Sequence, residues 1–122
     1  MPNLPPVRVY LYQNCSTCRD ASRWLDGQGI EREEIPIREK PPGVPELRRM
    51  LEIKGDLKKL FNTSGMDYRA QGLKDRLPGL TEDEALALLA ANGNLVKRPF
   101  LLTETGGAVG FKPEEWRRLF GN

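Results

Sequence analysis

Two cysteines three residues apart, at the seam between a β-type run and a helical pattern, constrain this chain more than any other feature. Val7-Arg8-Val9-Tyr10-Leu11-Tyr12 is rich in β-branched and aromatic residues and reads as a strand. Its imperfect alternation suits an interior strand covered on both faces. Gln13 and Asn14 lead into Cys15-Ser16-Thr17-Cys18. From Ser16 to Asp26, Cys18, Ala21 and Leu25 recur at helical spacing with Trp24 beside them, until Gly27 and Gly29 stop the pattern. Strand, tight turn and helix in that order place Cys15 where the helix opens. The unpaired backbone N–H groups there favour a thiolate over a thiol.

What is absent narrows the chemistry. The 122 residues contain no histidine, which removes histidine general bases, Cys-His dyads and His-containing zinc sites. Two cysteines are too few for a Cys₄ zinc site within one chain, so no metal is expected. A pair this close rarely staples a fold, which leaves redox or nucleophilic use, or service as two small apolar packing residues. The net charge of +2 does not by itself indicate a nucleic-acid binder. No apolar run is long enough to span a membrane. The opening Met1-Pro2-Asn3-Leu4-Pro5-Pro6 lacks the regions of a signal peptide and reads as a loose lead-in. A cytoplasmic protein of one domain, residues 1–122, is expected.

Further along, Ile30 to Ile37 is a weaker strand, with Pro36 pointing to a strand end or sheet edge. Pro45 suits a first helical turn, followed by Leu47, Met50 and Leu51 at helical spacing. Leu57, Leu60 and Phe61 predict a second short helix, closed by the polar turn Asn62-Thr63-Ser64-Gly65. Tyr68 to Leu77 is irregular or weakly helical. Thr81 with Glu84 three residues on is a capping box for a helix ending at Asn92-Gly93. Residues 44–92 thus form an all-helical block. Phe100 to Thr103 and Ala108 to Phe111 flank Glu104-Thr105-Gly106-Gly107 as a hairpin. Pro113 then opens a last helix whose buried side is Trp116, Leu119 and Phe120. The order βαβ, helical block, ββα predicts an α/β fold with a mixed four-stranded sheet flanked by helices. Tyr10, Tyr12, Trp24 and Trp116 are assigned to the core.

Four segments add a resemblance: Tyr12 to Arg19, Leu60 to Arg69, Leu95-Val96-Lys97-Arg98-Pro99-Phe100, and Val109-Gly110-Phe111-Lys112. In this order they resemble the arsenate reductase/Spx family of thioredoxin-like proteins. The resemblance implies a thioredoxin-like fold with the helical block inserted between its βαβ and ββα halves. It implies Cys15 as nucleophile and Cys18 as the second cysteine of a redox pair. Arg69 and Arg98 match two of three arginines that hold an oxyanion in the family's reductases, and Lys112 stands at the third. Pro99 matches the cis-proline set against the active cysteine.

These residue types fit thiol chemistry. Arg19 and Arg98 are the nearby cations expected to favour the thiolate. The planar forks of Arg69 and Arg98 suit an arsenate-like oxyanion. Cys18, one helical turn on, can attack a derivatised Cys15 and release product as an internal disulfide. Two functions are expected from the resemblance. One is a thiol-dependent oxidoreductase acting on arsenate or a small disulfide. It would hold no bound cofactor and would be recycled by glutathione with glutaredoxin, or by thioredoxin. The other is an Spx-like redox-sensing regulator that binds the C-terminal domain of the RNA polymerase α subunit, with no direct nucleic-acid contact.

Overall fold

A computed structural model describes residues 7–121; the proline-rich lead-in at Met1 to Pro6 lies outside the described residues. Strand β1 (Arg8–Leu11) runs into helix α1 (Ser16–Gly27), and the chain returns in β2 (Glu33–Pro36). β2 pairs parallel to β1, with Tyr10 opposite Ile35 and Leu11 opposite Pro36. After the helical block, β3 (Phe100–Leu102) lies antiparallel to β1, and β4 (Gly107–Val109) antiparallel to β3. The sheet order is β2-β1-β3-β4, so Pro36 sits on an edge strand where its missing N–H breaks no ladder. Helix α6 (Pro113–Leu119) ends the described fold. This is the thioredoxin-like arrangement expected.

The pleat sorts side chains to two apolar layers. Val9, Leu101 and Ala108 face one side, where they meet Ala21 and Leu25 of α1 and Trp116 of α6. Tyr10, Phe100 and Leu102 face the other and pack beneath the helical block. That block comprises α2 (Val44–Lys54), α3 (Met66–Ala70), α4 (Leu73–Arg76) and α5 (Glu82–Ala91). β1 is therefore covered on both faces, which is why its apolar alternation is imperfect.

Local signals act where they are strong. Thr81 and Glu84 form both bonds of the capping box at the start of α5, at 3.1 and 2.8 Å. The helix stops at Asn92. Gly93 is required there because a Cβ would collide with the Ile37 carbonyl. Two expectations need correction, and a third, the weakly helical stretch, becomes definite. Leu57–Leu60 is a 3₁₀ turn, and Phe61 leaves it for a single antiparallel bridge to Val96. Tyr68 to Leu77 holds most of α3 and all of α4, with Tyr68 and Leu73 buried. The last strand starts and ends earlier than expected, because Gly110 takes a left-handed φ of 74° and turns the chain toward α6.

Candidate functional site

The β1–α1 junction puts Cys15 at the N-cap of α1 in extended conformation. Its N–H donates to the Tyr12 carbonyl at 3.0 Å, and its carbonyl accepts the Arg19 N–H at 3.0 Å. The N-cap makes no side-chain hydrogen bond to the first turn. Cys15 is half-buried, whereas Cys18 is buried, and both are free thiols.

The two sulfurs are held unequally. Burial pushes the Cys15 thiol up and is the largest single influence on it. The nearby Cys18 backbone N–H and thiol and the Arg98 guanidinium together outweigh it, so Cys15 lies below the ordinary cysteine value. Burial also pushes Cys18 up, and here the neighbouring Cys15 thiolate adds to it. The Tyr12 N–H, donating to the Cys18 sulfur at 3.5 Å, opposes the rise, but Cys18 still stands at about 12. One thiol is poised to ionise and its neighbour to stay protonated.

Arg98 reaches the site through the sheet. In the β1–β3 register Tyr10 stands opposite Phe100, and continuing it past the strand ends sets Arg98 opposite Tyr12. The Arg98 guanidinium lies over the Tyr12 ring, 4.9 Å from its centroid, and Arg38 covers the same ring at 4.8 Å. The Tyr12 hydroxyl accepts from Arg38 Nη1 at 2.7 Å and from Asn14 Nδ2 at 3.2 Å. The Asn14 hydrogen bond and the two arginines lower the phenol from its ordinary value, against a smaller opposing effect of burial. The Arg98–Pro99 peptide bond is cis and Pro99 is buried, its carbonyl accepting the Gly110 N–H at 2.9 Å.

A cavity of about 570 Å³ opens next to this junction, with Thr17, Arg98 and Lys112 in its wall. Lys112 is placed there because it is the N-cap of α6, just beyond the Gly110 turn. Of the anticipated cations, Arg98, which also acts on the Cys15 thiol, and Lys112 thus come together at one cavity. The other two do not. Arg69 lies exposed on α3 outside that cavity, with no hydrogen bond or ion pair from its side chain among the described residues. Arg19 directs Nη1 to the Gln13 carbonyl at 2.8 Å and lines a separate cavity of about 600 Å³ together with Cys18.

Tyr12 has a second role. Assigned to the core, it packs against the core cluster and also lies under Arg98 at the site. Its place at the end of β1, one residue past the pairing, sets the ring at the margin of the core with its hydroxyl among polar partners. Trp24, by contrast, packs among aromatic rings, 6.1 Å from Trp116 and 6.2 Å from Phe111.

Comparison with known proteins gives this arrangement its relatives. The chain is 48% identical to the uncharacterized protein YusI of Bacillus subtilis (strain 168) over 90% of its own length and 94% of YusI. It is 30% identical to the global transcriptional regulator Spx of Enterococcus faecalis (strain ATCC 700802 / V583), covering 93% of this chain and 85% of Spx. Among solved structures it superposes on an ArsC family related protein from Bacteroides fragilis with a TM-score of 0.90 at 45% identity, covering 96% and 99% of the two chains. An arsenate reductase from Vibrio cholerae matches with a TM-score of 0.78 at 27% identity, covering 93% and 96%. The family model described as the ArsC family matches residues 10–119, nearly the whole described fold, with both cysteines, Arg98, Pro99 and Lys112 inside it, and the chain belongs to the ArsC family.

Proposed function

We propose that the protein is a thiol-dependent oxidoreductase in which Cys15 is the nucleophile and Cys18 the resolving cysteine. The observation that carries this reading is the inequality of the two neighbouring thiols, Cys15 lowered and Cys18 pushed up to about 12. With a small disulfide, the Cys15 thiolate attacks one sulfur, forms a mixed disulfide and expels the other half as a thiolate. Burial is the main influence holding Cys18 protonated, and the bond to Cys15 removes the negative charge that adds to it, while the positive Arg98 remains. Cys18 then gives up its proton, attacks the Cys15 sulfur and releases the second thiol. Two electrons have passed to substrate, and the protein is left with a Cys15–Cys18 disulfide. An external thiol, glutathione with glutaredoxin or thioredoxin, restores the dithiol.

Arsenate is the alternative acceptor. There Cys15 would displace water at arsenic, and attack by Cys18 on the Cys15 sulfur would release arsenite. Arg98 and Lys112 at one cavity support an anionic substrate of either kind. The outlying position of Arg69 leaves the oxyanion grip short of one planar fork, which favours the disulfide.

The 30% identity to Spx favours a second reading, a redox switch that binds the C-terminal domain of the RNA polymerase α subunit. One preparation discriminates the two. Turnover of a small disulfide or arsenate with a thioredoxin or glutaredoxin system is followed for wild type, Cys15→Ser and Cys18→Ser. Binding to that polymerase domain is measured on reduced and oxidised protein. The oxidoreductase reading expects turnover that Cys15→Ser abolishes. Redox-dependent binding without turnover would sink it.

A further inference from the structure

The cavity that Arg98 and Thr17 join to the start of α1 carries more positive charge than a single oxyanion calls for. Lys58, Lys59, Lys97, Arg98 and Lys112 all stand in its wall. None of these five forms an ion pair among the described residues. The carboxylates of the same wall already have partners. Glu115 holds Lys54 at 2.8 Å, and Asp56 accepts the Lys58 N–H at 3.0 Å. Between the cations the lining is apolar, from Phe61, Val109 and Phe111. Like charges around one concavity repel across a screening length of about 8–10 Å, a cost that a polyanion entering the cavity relieves. At about 570 Å³ the space matches sites for small organic molecules, and its concave form differs from the flat basic face that tracks a nucleic-acid backbone.

We propose that this cavity receives the phosphate-bearing tail of a low-molecular-weight disulfide whose sulfur end lies at Cys15. The inference rests on the disulfide-reducing reading above and names its substrate class. A zwitterionic peptide tail brings an ammonium group that the five unpaired cations repel, and of the two carboxylates Glu115 is ion-paired with Lys54 while Asp56 gives one oxygen to the Lys58 backbone N–H. A tail bearing phosphates and no ammonium matches the wall as it stands. Four of the five cations are lysines, mobile point charges that follow a multiply charged phosphate chain. Arg98 stands where the two functions meet, acting on the Cys15 thiol and lining the cavity. The chemistry is unchanged: Cys15 takes one half of the disulfide, Cys18 displaces it with loss of its proton, and two thiols leave as the internal disulfide forms. An external dithiol supplies the two electrons that reset the pair.

Pantethine and coenzyme A disulfide are a useful pair of probes, because they share the reacting thiol half and differ in the phosphates and the adenosine that carries them, and the salt dependence isolates the part due to phosphate charge. The rate of internal disulfide formation is measured for each at low and high salt. Coenzyme A disulfide is expected to react roughly tenfold faster at low ionic strength. That ratio should fall toward one in about 1 M salt, where the screening length is near 3 Å. In the double variant Lys58→Gln/Lys59→Gln the ratio should drop about three- to tenfold, up to a factor of about three per exposed charge. A ratio near one at low salt, or one indifferent to the double variant, would overturn the proposal while leaving Cys15 chemistry intact. Glutathione disulfide reacting as fast as coenzyme A disulfide would overturn the preference for phosphate. Salt-sensitive binding of a single-stranded oligonucleotide with a ratio near one would hand the lysines to nucleic acid and overturn it as well. Failure of both probes to oxidise the cysteines would remove the oxidoreductase reading itself, and this inference with it.

Discussion

Replacing Arg98 by methionine keeps most of the side-chain stem and removes the guanidinium that favours the Cys15 thiolate. At the half-buried Cys15, the attraction of a nearby guanidinium for the thiolate is screened to about 1 kcal/mol. That is about a fivefold change in the balance of thiol and thiolate. Below the titration of Cys15, Arg98→Met therefore has about five times less thiolate. The more basic thiolate is also the better nucleophile. A Brønsted slope of about 0.4–0.5 returns roughly a factor of two, so the net loss in attack rate is about two- to threefold. Above the titration only the second effect survives, and the variant should be about twofold faster than wild type. The assay is the rate of attack on a neutral small disulfide from acid to alkaline pH, in a Cys18→Ser background so that only the first step is followed. A crossing of the two profiles is the expected result. A loss that is the same at every pH would mean that Arg98 does not act through the thiolate, and the reasoning would be wrong.

Three further outcomes follow from the same contacts. Tyr12→Phe keeps the ring under Arg98 and should leave the attack rate of Cys15 within about twofold, whereas Tyr12→Leu should lower it at neutral pH by about two- to fivefold, the worth of an exposed cation–π contact. Cys18 titrates at about 12 in the fold against an ordinary value of 9.0, so the folded state holds its proton longer than the unfolded chain. Its contribution to stability is thus full below about pH 9 and lost as pH rises toward 12; wild type should lose more stability than Cys18→Ala over that window, read by urea unfolding in reductant. Thr81→Ala removes the bond that Thr81 Oγ1 accepts from the Glu84 N–H at the start of α5 and should cost about 1 kcal/mol in denaturant unfolding, with no effect on Cys15 reactivity.

Where a local pattern decided the structure, the residues announced it. The helical face of Cys18, Ala21 and Leu25, the capping box at Thr81 and the proline at the start of α6 are each complete within one or two turns of chain. The 3₁₀ turn at Leu57–Leu60 was less legible, because Phe61 is claimed by a bridge to Val96 far along the chain. The site divides in the same way. Cys15 and Cys18 were visible as a pair with their helix. Arg98 and Lys112 were placed by pattern resemblance, and they meet only because the β1–β3 register and the Gly110 turn bring their segments together. Arg19 adjoins the cysteines in sequence, yet the helix turns it toward Gln13. Arg69 sits on a short helix whose direction no periodicity specified. The lysine wall was hidden for another reason. Its members come from three separate segments, and a net charge of +2 averages them away.

The central claim is that Cys15 attacks and Cys18 resolves. Mass spectrometry of acid-quenched protein after a single exposure to a small disulfide tests it most directly. The account predicts an internal disulfide in wild type, a trapped mixed disulfide on Cys15 in Cys18→Ser, and no adduct in Cys15→Ser. An adduct on Cys18 in the Cys15→Ser protein, with Cys18→Ser left unmodified, would contradict it.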